Sequence, residues 1–100
     1  MPEVRQTPEF RQWLIGLRDG QAKARIQVRI DRLGLGLLGD VKPVGEGVSE
    51  LRVDYGPGYR LYLIQRGGVL IILLCGGDKR SQQSDIGRAK TLAKELKDGA

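Results

Sequence analysis

The sequence predicts an α+β fold: two N-terminal helices packed on a small, mainly antiparallel sheet of three to four strands, followed by a C-terminal helix. Three observations predict it. Apolar residues recur at helical spacing near both ends of the chain, and between Gly47 and Leu63 they alternate with polar ones. The apolar run Val69 to Cys75 lies between the glycine pairs Gly67-Gly68 and Gly76-Gly77. With 100 residues, 40% of them hydrophobic, the chain has material for one core and none for a second, so residues 1–100 are read as a single domain.

Val4 to Gln6 is a candidate short edge strand. Thr7-Pro8-Glu9 then signals a helix start, because Thr caps well, Pro fits the first helical position and Glu suits the positive end of the helix dipole. Phe10, Trp13, Leu14 and Leu17 form its apolar stripe, and Asp19-Gly20 breaks the pattern. A second helix is expected from Gln21 to Leu33, antiparallel to the first, with Ala22, Ile26, Ile30 and Leu33 inward. The glycines of Gly34-Leu-Gly-Leu-Leu-Gly39 end it. Asp40 to Glu46 reads as a loop, since Pro43 argues against a central strand. Three antiparallel strands follow, joined by Tyr55-Gly-Pro-Gly58 and by a tight turn at Gly67-Gly68. Val69 to Cys75 is apolar on both parities and so needs cover on both faces. The last helix is the candidate cover, with Ile86, Ala89, Leu92, Ala93 and Leu96 inward, a Ser81 or Ser84 cap, and fraying at Asp98-Gly99.

The strand register carries the functional reading. If Leu51 and Val53 share a buried face with Leu61 and Leu63, Arg52 and Arg60 must emerge together on the other, because a one-residue slip sends either apolar set into water. Two guanidiniums thus converge on one sheet surface. Lys plus Arg number 17 against 12 Asp plus Glu, a net charge of +5, which favours a polyanion or an acidic protein as partner. With no His and one cysteine, Cys75, the chain lacks the means for Cys/His zinc sites, for Ser-His-Asp or Cys-His nucleophiles, and for an intrachain disulfide. The N-terminus shows no secretory pattern and the longest apolar run is too short for a bilayer, so a cytoplasmic protein without membrane contact is expected. On the second helix Arg25, Arg29 and Arg32 line one face. That stripe reads first as a solvated surface and second as a platform for RNA phosphates or an acidic partner.

Four short motifs in order complete the reading: Phe10-Arg-x-Trp13-Leu14, Gly45-x-Gly-Val-Ser-Glu-Leu-Arg52, Tyr55-Gly-Pro-Gly-Tyr-Arg60 and Leu73-Leu-Cys-Gly-Gly-Asp-Lys79. With the element order, they resemble the RelE/ParE toxin superfamily, and more closely its HigB-like "addiction module killer protein" branch. That resemblance implies a RelE-like fold and the toxin of a type II toxin-antitoxin pair. Such a toxin is silenced by a cognate helix-turn-helix antitoxin protein and, when free, cuts mRNA on the ribosome without metal or cofactor. It also implies that Arg52 and Arg60 bind and polarise the scissile phosphate, and that Lys79 with Arg80 forms the basic pair after the last strand. The last loop here carries Gly76 and Gly77 where an aromatic is frequent in relatives.

A metal-free ribonuclease must bind the phosphate, remove the 2′-OH proton, neutralise developing charge and protonate the leaving 5′-oxygen. Arg52 and Arg60 suit the charge role, since a guanidinium fork grips phosphate in two places. Lys79 is the candidate proton donor, and Asp78 a base or the residue that orients Lys79. Tyr62, on the parity of Arg60, is the preferred base stacker; Tyr59, Trp13 and Cys75 read as core. Arg80, Arg25 and Arg29 complete the expected RNA contacts. The structural alternative for Arg52 and Arg60 is pairing with Glu50 or Asp54. The functional alternatives are a non-enzymatic, ParE-like inhibitor of DNA gyrase and a module that only binds its antitoxin, with the Val4 edge as a place for an added antitoxin strand.

Overall fold

The structure, a computed structural model, describes residues 1–99, the side chains of residues 98 and 99 excepted. Its elements are β1 (Glu3–Gln6), α1 (Pro8–Gly16), α2 (Gly20–Gly34), β2 (Val41–Gly45), β3 (Val48–Val53), β4 (Tyr59–Arg66), β5 (Leu70–Gly77) and α3 (Gln82–Gly99), with a single 3-10 turn, Lys79–Ser81, before α3. The class is α+β, with one five-stranded mixed sheet in the order β1-β5-β4-β3-β2. β1 runs parallel to β5, and every other pairing is antiparallel.

The sheet therefore has five strands rather than three or four, and the additional one is the segment containing Pro43. It forms because β2 lies at the sheet edge, where proline's missing N–H removes no ladder bond. Glu46 and Gly47, both at positive φ (54° and 79°), make the two-residue hairpin to β3. An odd-numbered loop, Asp54 to Gly58, then joins Val53 to its partner Tyr59 and keeps the apolar parity of β3 and β4 in phase, as the pattern required.

Helix starts follow their caps. Thr7 Oγ1 accepts from the Phe10 N–H at 3.0 Å, and Asp19 Oδ1 from Gln21 and Ala22 at 2.9 and 3.2 Å. The expected Ser81 or Ser84 cap on α3 is corrected: Asp78 and Ser81 form a capping box on the 3-10 turn, and α3 continues directly from it. Its backbone is helical through Gly99. Among the described residues no helix is long and apolar enough to cross a membrane.

Each sheet face carries its own core. Ala22, Ile26, Ile30 and Leu33 of α2 and Phe10 of α1 pack on Leu51, Leu61, Leu63, Ile71 and Leu73. On the other face Ala89 and Leu92 of α3 cover Val48, Tyr62, Ile64, Ile72 and Leu74. A bulge at Leu74, where the β4–β5 register shifts between Tyr62 and Leu63, sets the phase of the last residues of β5. It brings Gly76 beneath the Trp13 indole so closely that a Cβ there would strike the ring. Gly76→Ala is accordingly expected to destabilise the protein by about 1–3 kcal/mol through overpacking. Urea unfolding measures this, and an unchanged midpoint would contradict the contact.

Candidate functional site

Arg52 on β3 and Arg60 on β4 share a face, as the parity argument required, and the register sets them directly opposite each other. Two like charges facing across strands repel, so the pairing needs an anion between them. Glu50 supplies it. It lies two residues before Arg52, on the same side of β3, and none of its surface reaches solvent. Arg52 Nε donates to its Oε1 at 3.0 Å, and Arg60 Nε lies 3.7 Å from its Oε2. Oε2 also accepts from the Tyr62 hydroxyl at 3.2 Å and from Gln82 Nε2, at the start of α3, at 2.8 Å. Burial opposes the charge on Glu50, but the hydrogen bonds from Gln82, Arg52 and Tyr62 and the charge of Arg60 outweigh it and hold its pKa below the ordinary value. Burial and the neighbouring Glu50 charge push the Tyr62 phenol far upward, so it stays a donor.

Beyond the two arginines opens a cavity of about 370 Å³, lined by Arg52, Arg60, Lys79, Asp40, Asp54 and Gly58, with Val53 and Tyr59. Lys79 reaches it because the Lys79 N–H donates to Pro57 O at 3.4 Å, tying the loop after β5 to the loop after β3. Gly58 is needed between them. It has φ +80°, and a Cβ there would sit 3.1 Å from Arg60 Nη1, which donates to Gly58 O at 2.6 Å. A larger hollow of about 690 Å³ lies at the end of α2, lined by Arg29, Arg32 and the Gly36–Asp40 loop. Asp40 borders both. The smaller cavity is the one lined by both paired arginines together with a lysine and two aspartates, and it is the candidate site.

No family model matches the sequence. Over 94 residues the chain is 52% identical to a protein of Haemophilus influenzae (strain ATCC 51907 / DSM 11121 / KW20 / Rd) described as "Uncharacterized protein", a match covering 94% of this chain and 95% of that one. The chain belongs to the family of that Haemophilus protein. The match takes in nearly all of both family members, and with them the strands and loops that carry the site.

The other expected site residues lie in different places, and two expectations need correction. Tyr62 is fully buried beneath α3 and cannot stack on a base; its hydroxyl serves Glu50 instead. Asp78 does not line the cavity. Its carboxylate caps the 3-10 turn, accepting from the Arg80 N–H at 2.8 Å and the Arg80 guanidinium at 3.3 Å. Burial acts to raise its pKa, but these Arg80 contacts prevail and leave it a weaker base than an ordinary Asp. Arg80 is otherwise exposed. Arg25 stacks over the Tyr55 ring at 4.6 Å. Arg29 leaves the expected solvated stripe: its Nη1 donates to Arg52 O at 2.8 Å, and its Nη2 is buried against Gly39 without a partner. Cys75 is core, as expected, with its thiol pushed by burial up to about 12. Among the described residues no three His, Cys, Asp or Glu side chains cluster as metal ligands would.

Sequence reasoning named Glu50 only as a rival partner for the arginines and missed Gln82, Asp40 and Asp54 as site residues. Asp54, two residues after Arg52 on the same parity, was open to discovery from the register; Asp40 was not, because it joins the site through β2, the strand that Pro43 concealed. Gln82 was not, being 32 residues from Glu50.

Removing the Glu50 charge leaves Arg60 buried without compensation, so Glu50→Gln is expected to cost about 3 kcal/mol, the low end for a broken buried pair because Arg52 can turn to water. Because the folded pKa of Glu50 is depressed, its stabilisation is complete above the ordinary value of 4.5 and is lost as pH falls through the lower folded value. Urea unfolding of wild type and Glu50→Gln should differ most at neutral pH and converge in strong acid. A gap that does not change with pH would contradict the ion pair.

Proposed function

We propose that this chain is the toxin of a type II toxin-antitoxin pair, of the RelE/ParE superfamily and its HigB-like branch, and that it is a metal-independent endoribonuclease cutting mRNA on the ribosome. The observation that carries this reading is the direct pairing of Arg52 with Arg60 on the wall of a cavity that Lys79 shares. The layering supports the RelE-like arrangement, with α1 and α2 on one sheet face and α3 on the other. A cognate helix-turn-helix antitoxin is the proposed protein partner.

In the proposed reaction the terminal nitrogens of Arg52 and Arg60 grip the scissile phosphate and stabilise the charge that grows on it. The 2′-oxygen attacks phosphorus as its proton passes to a carboxylate, and the bond to the 5′-oxygen breaks as Lys79 gives that oxygen a proton. The products are a 2′,3′-cyclic phosphate and a 5′-hydroxyl. Asp40 or Asp54, which line the cavity, takes the basic role first considered for Asp78. A second reading has its own support: both arginines pair with Glu50, as they would in a purely structural clamp. In that case the chain is a gyrase inhibitor or an antitoxin-binding module without nuclease activity.

The test is primer extension on mRNA in a reconstituted translation reaction. Arg52 is 40% exposed, and Lys79 is exposed, so both tolerate truncation. Arg52→Ala should lower cleavage by about 10²–10³-fold, as for loss of one donor to a developing anion. Lys79→Ala should lower it by about 10²-fold, as for loss of a general acid. Cleavage that persists in folded Arg52→Ala, or wild-type protein that relaxes supercoiled plasmid with gyrase and cuts no transcript, would overturn the nuclease reading.

A further inference from the structure

We propose that Glu50 is a positioning residue of this site: it takes Arg52 by its Nε edge and faces the Nε of Arg60 at ion-pair range, leaving the terminal nitrogens of both for the cavity, while Tyr62 and Gln82 keep it from drawing Arg60 further in. The inference rests on the reading of the cavity as a phosphate site.

A guanidinium has an Nε side and a two-nitrogen end, and a partner on one leaves the other free for a second anion. Arg52 gives its Nε to Glu50 Oε1, and among the described residues its terminal nitrogens donate to nothing. Arg60 is held less closely. Its Nε stops 3.7 Å from Oε2, beyond hydrogen-bond reach, and is buried without a partner. Its Nη1 is turned the other way, onto Gly58 O at the cavity wall. The reason lies in the occupancy of Oε2, which already accepts from Tyr62 and Gln82, so Arg60 is held there by charge attraction without a third hydrogen bond. A Glu50 carboxylate without those two donors would close on Arg60 and withdraw it from the cavity. Away from Arg52, Arg60, Tyr62 and Gln82 the same face is apolar, with Val48, Ile64 and Leu74 in its core, so space-filling alone calls for no carboxylate there.

Two variants of the full chain test this, Glu50→Gln and Tyr62→Phe, the second removing one hydroxyl so that folding is kept. Two quantities are measured on each: the single-turnover rate of cleavage of ribosome-bound mRNA, and affinity for an oligonucleotide carrying a 2′-deoxy sugar at the cleavage position, by fluorescence anisotropy. Misaligned arginines should lower the rate of Glu50→Gln by about tenfold or more. Its oligonucleotide affinity should hold or rise, since a negative charge has been lost beside the site. Tyr62→Phe should lower the rate by a larger factor than the affinity. An unchanged rate in folded Tyr62→Phe, or rate and affinity falling by the same factor in both variants, would overturn the positioning role. Wild-type protein that binds the oligonucleotide and cuts no mRNA would overturn the underlying nuclease reading, and this inference with it.

Discussion

A single buried carboxylate makes the rest of the site possible. Two arginines opposite each other on neighbouring strands repel, and burying one of them, as Arg60 is buried, leaves a charge without water. Glu50 removes both difficulties because it projects from β3 on the same side as Arg52 and reaches across to β4. Its own desolvation is offset by donors from three elements: Arg52 on β3, Tyr62 on β4 and Gln82 on α3. The start of α3 and the two arginines therefore meet at one carboxylate.

The position of the cavity follows from how the sheet is covered. α3 covers Val48, Tyr62, Ile64, Ile72 and Leu74 of the second face through Ala89 and Leu92, and its first turn lies beside Glu50, with the cavity beyond. The opening falls where β3 and β4 meet their connecting loop, and there glycine is required rather than convenient. Gly58 lets Arg60 fold back on the backbone, and Gly76 lets α1 press its indole on β5. The loop after β5 then swings Lys79 over the gap through its bond to Pro57. The cavity thus gathers three cations from β3, β4 and the 3-10 turn, with Asp40 and Asp54 interleaved among them.

Much of this was legible in the sequence, and the failures have physical causes. The four positions of α2 expected to face inward, Ala22, Ile26, Ile30 and Leu33, are all buried, because together they form a single stripe at the 3.6-residue period. That Arg52 and Arg60 share a face followed from the two-residue period alone; their direct opposition is set by the register. That period assigns a face and does not say whether the face is covered, which is why Tyr62 was taken for a surface aromatic. The clue lay on the neighbouring strand: Val69 to Cys75 is apolar on both parities, and cover over β5 extends to its neighbour β4. β2 was hidden by Pro43, which rules out a central strand but not an edge one. The burial of Glu50 had no local signal, because its partner Gln82 is brought to it by tertiary packing.

The account is tested most directly by nitrogen NMR of the arginine side chains, recorded while an oligonucleotide that cannot be cleaved is added to the protein. Nε already engaged by Glu50 should hold its shift in Arg52, while the terminal nitrogens of Arg52 and Arg60 move together and saturate at one affinity. Terminal nitrogens that stay unmoved while other arginines respond would contradict it, as would an Nε of Arg52 that behaves like one free in water.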